Sequence, residues 1–87
     1  MQGHGSAAWN VANHYGRGLG VSKNPSMVYA YRLIAKTLGF KRAIKLFKIA
    51  EDYRQKHGES IEPDHVVKEG RVFAREIWAE MQTAKAN

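Results

Sequence analysis

The chain states one unit twice, and that repetition constrains its fold more than any other feature. Trp9-Asn-Val-Ala-Asn-His-Tyr15 reads aromatic, any, β-branched, Ala, any, any, Tyr, and Phe47-Lys-Ile-Ala-Glu-Asp-Tyr53 reads the same. The second copy lies 38 positions after the first, and the register holds beyond the motif. Gly20 falls on Gly58, Ser22 on Ser60, Pro25 on Pro63 and Val28 on Val66. Self-similarity at such a period marks a repeat whose unit is one supersecondary element, stacked on its neighbour to bury a face that it cannot bury alone. With 87 residues there is room for one small domain with a thin core.

The apolar spacing assigns that unit to helices. Ala8, Val11, Ala12 and Tyr15 recur at i, i+3, i+4, i+7, with alanines small enough to admit a close partner helix. Ser6 is a candidate cap for this first helix. Gly16, Gly18 and Gly20 follow and stop it, because a tight helix–helix turn needs positive φ. Asn24-Pro25 starts the second helix, Asn as cap and Pro at its first position. That helix is apolar on two sides, Met27, Tyr31, Ile34, Ala35 and Leu38 on one and Tyr29 and Leu33 on the other, so two neighbours cover it. Gly39 ends it.

In the third helix Arg54 and Lys56 replace the glycines of the first copy, so the helix continues to Gly58. Leu46, Ile49, Ala50 and Tyr53, widened by Ala43, Ile44 and Phe47, make it the expected most buried helix. Pro63 and Asp64 open the fourth, whose inner stripe is Val66, Gly70, Phe73, Ile77 and Met81. The fold predicted is all-α, two stacked αα-hairpins forming a short α-solenoid, with helices near 6–16, 25–38, 40–57 and 63–81. Residues 1–5 read as a flexible lead-in, 6–82 as one helical-repeat domain with repeats near 6–39 and 40–81, and 83–87 as a frayed tail. Gly18, Gly20, Pro25, Gly58 and Pro63 are the structural turn residues.

Ala7-Ala-Trp-Asn-Val-Ala-Asn-His-Tyr-Gly-Arg-Gly-Leu-Gly-Val-Ser-Lys-Asn24 resembles the first helix and turn of a Sel-one-like repeat, a TPR-like helical repeat. The family pattern is roughly A-x-Y-N-L-G-x-x-Y-x-x-G-x-G-V-x-x-D. Val28 to Gly39 is similar to its second helix and closing glycine. Asn24 stands for the usual Asp, Ala12 for the usual Gly and Val28 for the usual Ala. The match covers about two fifths of the chain. Ile61 to Trp78 is similar to the segment that closes the last repeat in bacterial members, with Ala74-Arg-Glu-Ile-Trp78 one residue longer than the usual Ala-x-x-Trp. The resemblance implies a protein–protein interaction adaptor, not an enzyme. Its binding surface would be the concave one, lined by the first helix of each hairpin. The residues there are Trp9, Asn10, Asn13 and His14 in copy one, and Lys41, Lys45 and Lys48 in copy two. Trp9 is either an exposed anchor or packed inward like its counterpart Phe47.

Two repeats are fewer than such arrays usually need. The near end, around Trp9, is therefore covered by further repeats of a longer chain, by self-association or by a partner. A net charge of +6 favours an acidic protein or peptide. The rival reading is a basic helical protein for nucleic acid or an anionic surface, drawn from Lys36, Lys41, Arg42, Lys45, Lys48, Arg54 and Lys56. Against it, no nucleic-acid motif is present and the aromatics keep core spacing.

Other chemistry is excluded on pattern. None of the four histidines sits in metal-ligand spacing, so no metal is expected. Gly-Arg-Gly-Leu-Gly follows a helix, whereas a dinucleotide loop follows a strand, so it is a turn and no cofactor is expected. Glu51 and Asp52 are adjacent and diverge on a helix, so no catalytic pair is assigned. There is no cysteine, no apolar run of membrane-spanning length and no hydrophobic signal core near Met1. The cysteine count does not fix the compartment, while the missing signal core favours the cytoplasm, or the periplasm for a processed or excised fragment.

Overall fold

The helix boundaries fall mostly where backbone chemistry demands them. The structure, a computed structural model, describes residues 2–86. Four helices and no strand occur among the described residues: α1 Gln2–Arg17, α2 Pro25–Thr37, α3 Lys41–His57 and α4 Asp64–Ala86. The fold is all-α, as the periodicity predicted. The Asn24 side chain accepts a hydrogen bond from the Met27 N–H at 3.2 Å, with Pro25 at the first helical position. Gly18, Gly20, Gly39 and Gly58 all have positive φ, and Gly20 and Gly58, the pair shared by both copies, match at 77° and 73°. Pro63 stands one residue before α4, its carbonyl accepting from the Val66 and Val67 N–H groups.

Two helices overrun their expected ends. α1 begins at Gln2, so residues 2–5 are helical and not a lead-in, and Ser6 lies inside the helix without a capping role. The reason is tertiary. Gly5 is buried against Phe40, where a Cβ would stand 2.9 Å from the Phe40 Cβ, and the Trp9 ring meets the Phe40 ring at 5.5 Å. Docking on Phe40 thus outweighs the low helix propensity of two glycines. At its other end α1 runs through Gly16 and stops at Gly18, whose N–H donates to the His14 carbonyl at 2.8 Å. α4 continues to Ala86 instead of ending near 81, since residues 79–86 contain good helix formers and no breaker.

α2 is the centre of the molecule. It packs extensively on α1 and on α4, and much less on α3. Ala8, Ala30, Ile34, Ala35, Ala43 and Ala74 form the buried cluster, ringed by larger half-buried side chains such as Leu38, Phe73 and Trp78. The small residues bring the axes close, and Gly70 brings α4 closest, facing Tyr29. Ser26, buried, donates to a Glu69 carboxylate oxygen at 2.8 Å and ties the start of α2 to α4. The inner stripe predicted for α4 does turn inward, with Val66 and Gly70 buried and Phe73, Ile77 and Met81 half-buried, and Ala74 beside it is buried as well.

The third helix corrects the expectation. It is the most exposed of the four, not the most buried. Only Ala43 is buried, Ala50 is half-buried, and every residue from Glu51 to Ser60 is exposed. α3 rests on α2 through Ala43, Leu46, Phe47 and Ala50, while Ile44, Ile49 and Tyr53 face solvent. α4 takes its packing from α2 and barely touches α3. The second helix pair is therefore open where the first is closed.

Candidate functional site

The openness of α3 leaves a groove on each of its flanks. α1 and α3 both lean on α2 and converge at Phe40, which holds Gly5 and Trp9. From there they part, so a groove of about 310 Å³ opens along the middle of α3. Its floor is Val28 and Tyr29, and its α3 wall is Leu46, Phe47, Ile49 and Ala50. Ile61 extends the apolar lining, and Ile49 is 51% exposed. Charge enters this groove through Lys23, Arg32 and Glu62. The Arg32 guanidinium carbon lies 5.4 Å from the centroid of the Trp9 ring, and its Nε is buried without a hydrogen-bond partner.

A second, wider groove of about 950 Å³ lies between α3 and α4, floored by Tyr29 and Leu33. Five cations line it, Lys36, Lys48, Arg54, Lys68 and Arg71, but so do Glu51, Asp52, Glu62 and Asp64. Arg54 is engaged with Glu51 at 2.9 Å, which holds the exposed Glu51 carboxyl below the usual carboxylate range. The Lys36 ammonium sits 5.3 Å from the Phe47 ring centroid. Mixed sign makes this a poor track for a phosphate backbone, which needs one sign along its length.

The residues singled out from the sequence are not gathered into one site. Asn10 and His14 are exposed on α1, and Asn13 is half-buried. Lys41, Lys45 and Lys48 are exposed along the strip of α3 turned away from α2, and of the seven Lys48 alone lines either of these two grooves, the mixed one. Trp9 is packed inward, half-buried between Phe40 and Arg32. The exposed face of α1 carries Ala7, Asn10, His14 and Arg17, with no large apolar side chain among them. Sequence reasoning missed Arg32 and the apolar groove. The signal for the groove was present in Ile49 and Ile61, but periodicity assigns such residues to a core and cannot see that a helix is splayed.

Among the described residues no three His, Asp or Glu side chains converge as a metal would need, and no helix is long and apolar enough to cross a membrane. No family model matches the chain, and no curated protein or solved structure matches it either. The likeness to Sel-one-like repeats rests on the residues quoted for it.

Proposed function

We propose that this chain is a protein–protein interaction module of the Sel-one-like repeat kind, not an enzyme, and that it holds a protein or peptide segment in the apolar groove beside α3. The observation that carries this reading is the groove itself. It is concave, apolar and walled by large side chains such as Ile49 that the fold leaves in water, the usual character of a recognition site. The positive charge of the chain and the exposed strip of Lys41, Lys45 and Lys48 suit an acidic partner, with the lysines raising the association rate.

Panning a displayed random-peptide library against the folded chain tests the proposal. Selected peptides should bind the wild type and lose binding to Ile49→Asp. The Ile49 side chain is half in water, so the substitution leaves the helices intact, as circular dichroism will verify. Peptides that bind both proteins equally, or no enrichment at all, would refute the groove as the site. Exposure of the lysine strip keeps one rival in play, a basic surface for RNA or DNA. Binding of a uridine oligomer that falls steeply with salt and ignores Ile49→Asp would favour that rival.

A further inference from the structure

We infer that the apolar groove selects segments in which an apolar side chain is flanked by a carboxylate, and that Arg32 is the carboxylate receptor. The inference rests on the interaction reading above and adds the chemistry of the partner. Arg32 lies on α2 at the groove wall, between the Trp9 ring and the apolar floor. Its Nε–H is buried and has no acceptor. A buried donor without a partner is costly, and more so on a charged group. Among the described residues the ion pair formed is Arg54–Glu51, which leaves Arg32 and Lys23 without a carboxylate. Glu62, the acid of this groove, comes from the turn before α4 and pairs with neither. An incoming carboxylate would accept from the guanidinium N–H groups that line the groove and neutralise a charge that no acid among the described residues meets.

The site is prepared for such a ligand. The cation–π contact with Trp9, 5.4 Å from guanidinium carbon to ring centroid, restrains the side chain, so less side-chain freedom remains to be lost on binding. Trp9 therefore serves as a positioning residue and not as the contact anchor. Phosphate would satisfy the fork equally well, but the neighbouring surface argues for protein. Val28, Leu46, Ile49 and Ile61 reward an apolar side chain and offer a phosphodiester chain nothing.

Fluorescein-labelled peptides with a central leucine, flanked by glutamates, serines or lysines, provide the probe, read by anisotropy. The glutamate peptide should bind wild type about tenfold or more tighter than the serine peptide, the worth of a charge-assisted hydrogen bond in such a site. Arg32→Gln should erase that preference while keeping leucine-dependent binding, whereas Lys45→Gln should keep it. Where Arg32→Gln loses helicity, Arg32→Lys replaces it and should retain only part of the preference. Equal binding of glutamate and serine peptides overturns the inference and leaves the interaction reading standing. So does a preference lost in Lys45→Gln but kept in the Arg32 variants, which would mean diffuse charge. Displacement of the glutamate peptide by a uridine oligomer would make the receptor one for phosphate and overturn it too. No binding by any peptide sinks both readings.

Discussion

At position 70 the absence of a side chain lets α2 and α4 cross. A Cβ there would stand 2.5 Å from Tyr29 Cδ1 and 2.9 Å from Tyr29 Cβ, and the second atom cannot swing away. Two effects oppose each other in Gly70→Ala. Helix propensity favours alanine by up to ~1 kcal/mol, whereas overpacking costs ~1–3 kcal/mol. The clash should win, and chemical denaturation should show a net loss. In a Tyr29→Gly background both clashing atoms are gone and the same substitution should stabilise. An unchanged sign in that background would mean the crossing is set elsewhere. Tyr31, on the same helix, gives a pH signature. Burial first, then the charges of Tyr15 and Glu80, raise its phenol above the ordinary value of 10.0. A raised folded-state value means the native state holds its proton longer than the unfolded chain. Its contribution is therefore complete below pH 10 and is lost as pH rises through the folded value. Tyr31→Phe should flatten the alkaline fall in stability, and parallel wild-type and variant curves above pH 10 would contradict it.

Among elements, α1 and α3 show how one motif yields two environments. The alanines in register differ most plainly: Ala12 is fully buried, while Ala50 forms the half-buried wall of the groove. Ala12→Leu and Ala43→Leu should each cost ~1–3 kcal/mol by overpacking. Ala50→Leu should cost little, like the exposed Lys48→Ala, because the groove has room for the added carbons. Thermal melts of the four variants separate these groups, and a large loss at Ala50 would mean that α3 sits closer to α2 than described. The glycines after Tyr15 divide in the same way. Gly16 is helical, and its Cβ would meet only Val28 Cγ2, at an ordinary 3.7 Å. Gly16→Ala should stabilise by up to ~1 kcal/mol. Gly20 has open space around it but a φ of 77°, so Gly20→Val should cost ~1–3 kcal/mol from backbone strain alone.

Taken whole, the molecule is elongated, 44 × 27 × 20 Å, with a radius of gyration of 13.1 Å. A compact chain of this length would measure about 12 Å. α3, with one buried residue, is the helix least enclosed by the others. A chain this short cannot surround four helices with core, so one helix is left partly in water. Local stability should follow. Amide exchange should be slowest in α2 and fastest, among helical residues, over Glu51 to His57, where no side chain is buried. Uniform protection across α2 and α3 would show that α3 is held by more than its contacts with α2. The wall of the proposed binding groove is the preceding stretch, Leu46 to Ala50, so an occupied groove should slow exchange there more than elsewhere.

The elements were legible in the chain because their signals are local. Asn24-Pro25, Gly18, Gly20 and Gly58 act through backbone geometry within a few residues, and they define the helix boundaries almost wherever they occur. The α4 stripe was legible too, since one helix face has one period. What only the tertiary structure decided is which apolar faces meet. Gly5 reads as part of a flexible lead-in and Gly16 as a breaker, yet both are helical; at Gly5 it is Phe40 that holds the turn, a contact no spacing predicts. Ile49 and Tyr53 in copy two repeat the first helix's pattern yet stand in solvent, because α4 packs on α2 and leaves α3 only the edge of Ala43, Leu46, Phe47 and Ala50 to rest on it. Competition between helices for the same surface is a property of the assembled chain. It opened the groove and left Arg32 at its wall, and it placed Ile49 in solvent.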